Sequence, residues 1–314
     1  EFDVDALCDG EEVHVAGIMQ HIEEAGIHSG DSACVLPPYE LSVDHKNTIK
    51  QYTAALALEL KTVGLINIQF AIQNNQVSVL EVNPRASRTI PFVSKVKDIP
   101  LAKIASQLAV GKKLKSYNLK QQKNRGLIAV KKPVFPFNKF PNQSIFLSPE
   151  MKSTGEVIGL DVHLGSAYAK AEYGAGNSIP LKGNIFLSVN DIDKMKVIPI
   201  ARDFDELGYK LIATEGTQKL LTQNGIACTM IAKVGEGRPN VVDYIKNKEI
   251  QFIINTPLGQ KSRYDEYEIG RSAIRYNISS TTTISGAQAA LRAVRRIKNN
   301  TLNYRSLQDI FESD

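Results

Sequence analysis

Residues 64–95 read GLINIQFAIQNNQVSVLEVNPRASRTIPFVSK, and the first part of the chain is organised around this stretch. Two apolar, β-branched runs, 65–72 and 77–82, flank a polar turn at Asn74-Asn75-Gln76, which predicts a β-hairpin. Polar side chains interrupt the runs at Gln69, Glu81 and Asn83. Because side chains alternate faces along a strand, Glu81 and Asn83 share a face. With a three-residue loop, Gln69 falls directly opposite Glu81 on that face. One carboxylate and two amide carbonyls then gather beside Arg85 and Arg88, just past the strand end. Such oxygen donors suit Mg²⁺, which takes one or two carboxylates and leaves its other positions to water and phosphate. The arginines would face the phosphate or another anion. On spacing alone, a solvated strand end closed by Asn83-Pro84 is the simpler reading.

The chain of 314 residues, 43% of them hydrophobic, is long enough for two domains. Its net charge of +5 is modest. Much of the excess sits in Lys112, Lys113, Lys115, Lys120, Lys123, Arg125, Lys131 and Lys132. Such a run reads as a solvated linker or exposed face, and no zinc-finger spacing or RNA-recognition signature makes it a nucleic-acid surface. Cys8, Cys34 and Cys228 are scattered and odd in number, which argues against a disulfide framework and for a reducing compartment. No apolar run approaches the roughly 18 residues of a membrane span. The opening Glu1-Phe2-Asp3-Val4-Asp5 reads as a strand entered in its middle, so a piece of something longer is expected.

Strands are predicted over 2–7 and 13–18. A polar, glycine-containing loop over 21–32 holds His21 and His28, read as satisfied or solvated imidazoles because no third metal ligand follows at suitable spacing. Helices are predicted over 48–61 and 101–110, each followed by glycine. Residues 112–182 are less regular, with a helix over 166–173, and are expected to pack on the first domain. From Asn184 onward strands and helices alternate, which predicts a separate, doubly wound parallel sheet. In such a sheet ligands bind at the carboxyl ends of strands, where Ser188, Thr214, Lys233 and Asn255 stand, with Lys194 approaching from the first helix. The loop Thr214-Glu-Gly-Thr217 enters a helix with two hydroxyls suited to phosphate, although Thr217 is also an ordinary N-cap type. No nucleophile–base pair is evident there, so binding is favoured over catalysis.

Several motifs together resemble a known family. EFDVD at 1–5, GIHSGDSAC at 26–34, EVNPRASR at 81–88 and TIPFVSK at 89–95 are similar to the second ATP-grasp unit of the carbamoyl phosphate synthetase large chain. FPFNKFP at 135–141 and MKSTGEV at 151–157 continue the match. Residues 184–298 resemble the methylglyoxal-synthase-like regulatory domain that ends that chain. The fold class implied is α/β: the C-terminal portion of an ATP-grasp domain over 1–111, a connecting segment over 112–182, and a doubly wound methylglyoxal-synthase-like domain over 183–314.

The resemblance implies an enzyme that joins bicarbonate, ammonia from glutamine and ATP into carbamoyl phosphate for arginine and pyrimidine synthesis. The unit found here would phosphorylate carbamate. The family's paired Mg²⁺ or Mn²⁺ ions fall on Gln69, Glu81 and Asn83, with K⁺ as a further cation. ATP contacts fall on Glu1, Gly26, Ile27, His28 and Ser29 besides Gln69 and Glu81, and the catalytic arginines on Arg85 and Arg88. An allosteric nucleotide such as UMP or IMP would use Ser188, Lys194, Thr214, Thr217, Lys233 and Asn255. Two departures stand out. Pro257 replaces a threonine of the nucleotide pocket, and Lys132 stands in the segment where an acidic residue serves ornithine, so UMP-like inhibition is expected in place of ornithine activation. The implied partners are a glutaminase small chain or domain, the preceding part of the large chain and an oligomeric assembly, without nucleic acid or membrane. The implied compartment is the cytoplasm, or otherwise an organelle stroma or matrix. The phosphate-cradling half of the site would precede Glu1, so the fragment alone is expected to be inactive. The competing reading is a stand-alone nucleotide-binding regulatory module. A lyase is disfavoured because its chemistry needs a pocket carboxylate, and the 214–217 loop offers only Glu215.

Overall fold

Alternating polar and apolar residues build the first sheet. The computed structural model describes residues 1–119, 125–137, 139–140, 145–257 and 263–312. It divides into one unit of Glu1–Lys131 with Asn303–Asp314 and a second of Lys132–Leu302. The boundary falls inside the stretch 112–182, read from the sequence as a connecting segment that packs on the first domain.

The first unit contains β1 (Phe2–Asp9), β2 (Val13–His21), β3 (Cys34–Leu36), α1 (Val43–Glu59), β4 (Val63–Gln73), β5 (Gln76–Asn83), α2 (Ile90–Lys97) and α3 (Leu101–Ala109). Strand β6 (Ile128–Val134) runs across the boundary. Among these strands the order is β5-β4-β1-β2-β3-β6, with a seventh strand following β6 at the edge of the sheet, and the pairings from β5 to β6 are all antiparallel. One face is apolar: Phe2, Val4, Ala6, Ile66, Ile68 and Phe70 pack with Ile49 and Ala57 of α1. Helix α1 starts earlier than its apolar spacing suggests because Ser42 caps it, accepting from the His45 N–H. Helix α2 was not anticipated; Pro91 in its first turn is compatible with a helix start.

The hairpin differs from expectation in two ways that cancel. Its turn has two residues, Asn74 and Asn75, both left-handed at φ 51° and 64°, and Gln73 pairs with Gln76. Such a turn suits asparagine. The ladder then slips by one residue in β5, so that Phe70 faces Val79 while Gln69 faces Glu81. Without that bulge at Leu80, the period of two would send Glu81 to the opposite face from Asn67 and Gln69.

The second unit holds β7 (Gly155–Asp161), α4 (Leu164–Gly174), β8 (Asn184–Val189), α5 (Lys194–Glu206), β9 (Lys210–Thr214), α6 (Glu215–Gln223), β10 (Cys228–Ile231), α7 (Val241–Lys246), β11 (Phe252–Thr256), α8 (Arg263–Arg275), β12 (Ser279–Thr281) and α9 (Ile284–Asn299). A short helix α10 (Leu307–Glu312), which belongs to the first unit, ends the described chain. Strands β8 to β12 form a parallel sheet in the order β10-β9-β8-β11-β12. The order reverses between β8 and β11, and ligands bind at such a switch point in open α/β sheets. Close backbone approaches fix the flanking layer. A Cβ at Gly159 would run into the Ala167 backbone, and one at Gly165 into that of Arg292 on α9.

All three thiols are free. Among the described residues no helix is long and apolar enough to cross a membrane. The basic run is not a solvated face throughout: Lys131 is fully buried, and Lys113 and Lys132 pair with Glu11 and Glu172. Lys120 and Lys123 lie outside the described residues, as do Asn138 and Pro141 of the aromatic-proline motif.

Candidate functional site

Opposite the apolar face of the first sheet lies a polar one. Strand pairing sets Asp3 beside Gln69, Asp5 beside Asn67, Asn67 beside Asn83 and Gln69 beside Glu81. A continuous row of carboxylates and amides therefore crosses β1, β4 and β5. Asp3 and Asp5 are fully buried, whereas Glu81 is exposed. Asn67 Nδ2 donates to Asp3 Oδ1 at 2.5 Å and to Asp5 Oδ1 at 2.8 Å. Ser87 and Thr89 hydroxyls donate to Asp5 at 2.7 and 2.6 Å. This ties the loop after β5, which carries Arg85 and Arg88, to β1. Burial and the neighbouring Asp3 charge raise the Asp5 pKa to about 7, against the pull of those three donors.

His21 sits in this network, with Nδ1 3.5 Å from Glu1 Oε1 and Nε2 3.9 Å from Asp3 Oδ2. Neither ring nitrogen has a hydrogen-bond partner, and both are buried, so it is neither satisfied nor solvated as expected. Burial opposes its charge, but the Cys34 sulfur and Asp3 beside it raise its pKa to about 10. Glu1 Oε2 accepts from the Gly26 N–H at 2.9 Å, joining two of the sequence-derived nucleotide contacts. The loop continues through Ile27 to His28, whose Nδ1 accepts from the Gly30 N–H. Burial lowers the His28 pKa, and Arg88 and Lys131 lower it further against Asp31 and Glu81. His28 is therefore neutral at pH 7. The buried Lys131 ammonium donates to the Ser29 carbonyl at 2.7 Å and pins the loop.

Arg85 donates to Asn83 Oδ1 at 3.2 Å, and Arg85 and Arg88 are both exposed. An amide oxygen has two lone pairs, so Asn83 could serve that arginine and a cation together. The set of Gln69, Glu81 and Asn83 thus fits a hard divalent cation chemically. Among the described residues no cluster of three or more His, Cys, Asp or Glu could hold a metal. The sequence reading missed Asp3, Asp5, Asn67, Ser87 and Thr89. The alternation E-F-D-V-D was the available signal.

In the second unit, Ser188, Lys194, Thr214, Thr217, Lys233 and Asn255 all line one cavity of about 330 Å³. Thr214 Oγ1 donates to Ser188 Oγ at 3.4 Å, and Thr217 Oγ1 accepts from the Val189 N–H at 3.3 Å. The N-cap of α6 is Thr214, with no side-chain cap bond, so Thr217 lies within the first helical turn and does not precede it. Glu215 points away and pairs with Lys219. Asp191, Asp265 and Glu266 do line the cavity, carboxylates that the loop sequence did not reveal. Pro257 is in the lining as well. Lys132 is 2.9 Å from the buried Glu172 and lies over the Tyr168 ring.

Residues 1–117 match the model of the carbamoyl-phosphate synthase L chain, ATP binding domain, and residues 196–282 match the MGS-like domain. The chain is 53% identical, over 99% of its length, to the carbamoyl phosphate synthase large chain of Archaeoglobus fulgidus, of which it covers 29%. To the large chain of Acidobacterium capsulatum it is 52% identical, covering 98% of this chain and 29% of that one. To the large chain, C-terminal section, of Aquifex aeolicus it is 46% identical, covering 99% of this chain and 62% of that section. The chain thus spans less than a third of the full-length large chains it matches. The antiparallel sheet lies in the part that matches the ATP binding domain and the parallel five-stranded sheet in the part that matches the MGS-like domain, and the chain belongs to the carbamoyl phosphate synthase large-chain family as its C-terminal part.

Proposed function

We propose that the first unit supplies one wall of a site that phosphorylates carbamate with MgATP, giving carbamoyl phosphate and ADP. In this reading the second unit binds a regulatory nucleoside monophosphate such as UMP. The observation that carries the reading is the row Gln69–Glu81 with Asn83, running into Arg85 and Arg88, within a unit matching an ATP-binding domain. Phosphoryl transfer asks the protein for positioning and charge neutralisation more than covalent chemistry. Gln69, Glu81 and Asn83 would hold Mg²⁺ or Mn²⁺, which when bound neutralises phosphate oxygens. Glu1 and the loop Gly26-Ile27-His28-Ser29 would position the nucleotide, with Lys131 fixing the loop. Arg85 and Arg88 would orient the anionic acceptor and the transferred group. A neutral His28 keeps a hydrogen-bond donor near them without adding charge.

The test uses the full-length large chain with ammonia as nitrogen source. Glu81→Gln should lower carbamoyl phosphate synthesis roughly a hundredfold or more while bicarbonate-dependent ATP hydrolysis at the other ATP site continues. Unchanged synthesis would return Glu81 to a solvated strand end. The 314-residue chain alone should make no carbamoyl phosphate in this reading. The glutaminase partner, K⁺, the oligomeric assembly and a cytoplasmic setting follow from the family and belong to the same proposal.

A further inference from the structure

The cavity of the second unit carries its own anions. Lys194 and Lys233 line it, but so do Asp191, Asp265 and Glu266. One of these carboxylates already holds a lysine: Asp191 Oδ1 lies 2.5 Å from Lys194 Nζ. That ammonium stands over Gly216, 3.5 Å from where a Cβ there would be. It is therefore at the first turn of α6, in the same cavity that Thr214 and Thr217 line.

Asn190 fixes the turn on which Asp191 stands. Asn190 Oδ1 accepts from the N–H groups of Ile192 and Asp193 at 2.9 and 3.1 Å. Asn190 Nδ2 donates to Asp193 Oδ2 at 2.8 Å and to the Thr256 carbonyl at 3.2 Å. The turn is thus fastened to the end of β11, and the carboxylate is presented to Lys194 at little entropic cost. The Asp191 side chain is 90% exposed, so it supports no packing and leaves the lysine without losing a buried environment.

We propose that Asp191 is an intramolecular competitor for the anionic group of the cavity's ligand. In the free protein it occupies Lys194; a bound phosphate monoester takes over the lysine and releases Asp191 to water. The inference rests on the phosphate-pocket reading above. A dianionic phosphate wins the exchange because it engages the lysines and threonine hydroxyls together, whereas the carboxylate meets one ammonium in water, where such pairs are weak. Asp191 therefore sets the affinity of the site without touching the ligand.

Calorimetric titration of the 314-residue chain with UMP, and separately with inorganic phosphate, tests this. Asp191→Asn should bind UMP about three- to fivefold more tightly than wild type, the range open to an exposed pair, with an unchanged melting temperature. Lys194→Met should weaken binding, and adding Asp191→Asn to Lys194→Met should give no gain. Equal or weaker binding by Asp191→Asn, with wild type binding normally, overturns the competitor alone. The same gain in the Lys194→Met background also overturns it, because the effect would then be a general field. If neither wild type nor Asp191→Asn binds either probe, the phosphate pocket itself falls and takes the competitor with it.

Discussion

The two units place their polar groups in opposite ways. In the antiparallel sheet they lie along the strand faces, so Asp3, Asp5 and Asn67 sit side by side and out of water. In the parallel sheet they stand at strand ends, where Ser188, Thr214 and Asn255 border an open cavity. The difference follows from how each sheet is covered. In the antiparallel sheet the face opposite α1 sets Asp3, Asp5 and Asn67 beside the buried Leu7 and Leu65, so its polar groups must find partners across the strands, whereas a parallel sheet packed on both faces keeps its polar groups at the strand ends. On the shared face Asn67 serves Asp3 and Asp5 at once, so its loss is felt by both, while groups at separate strand ends can be removed one at a time.

The sharpest attempt to break this contrast is Asn67→Ala. It leaves two buried carboxylates facing each other without their common donor, and about 3 kcal/mol or more of stability should be lost in urea denaturation. Thr214→Ala, whose hydroxyl makes only a 3.4 Å bond to Ser188, should cost about 1 kcal/mol or less. Equal losses would show that burial on the face does not couple these groups.

A second prediction concerns pH. The folded pKa of His21 lies above its ordinary value, so its contribution is fully present below about 6.5 and disappears as pH rises through about 10. Asp5, raised to about 7 by burial and Asp3, has the same sign over a lower window: stability is present near pH 4 and falls away through pH 7. Thermal melts should therefore decline from pH 5 to pH 10, and His21→Asn should flatten the upper part of that decline. A wild-type melting temperature that stays level or rises over this range would contradict the charged network.

Paired substitutions should separate the two units on a smaller scale. Thr214→Ala and Lys233→Ala should each weaken UMP binding by roughly tenfold or less, with combined free energies adding within about 0.5 kcal/mol. Asp5→Asn combined with Asn67→Ala should instead recover part of the Asn67→Ala loss, because removing one charge relieves the other. The smallest effect belongs to Lys219→Met on α6. Its pair with Glu215 is exposed on both sides, so neither melting nor UMP binding should change measurably.

Much of this architecture was legible. Alternation and glycine stops place β8 and β9 correctly, and the six residues named from strand ends, the 214–217 loop and the first helix line a single cavity. What escaped was small or depended on pairing. Strand β3 is three residues long and offers no periodicity to read. Helix α2 hides behind the motif that precedes it. The segment 112–182 holds β6 and β7 and is divided between units, which irregular local sequence does not announce.

The hairpin separates what each level determines. Strand propensity and turn chemistry are local, so residues 65–83 alone announce two β-branched runs that meet at an asparagine turn and are interrupted by Gln69, Glu81 and Asn83. The register appears only in the folded chain, through a two-residue turn and a bulge at Leu80 that local rules do not count. The tertiary structure likewise decided that Asp3 and Asp5 are buried, that His21 is charged between Glu1 and Asp3, and that Asp191 holds Lys194. Burial and charge belong to neighbours brought together from distant parts of the chain, and no window of sequence contains them.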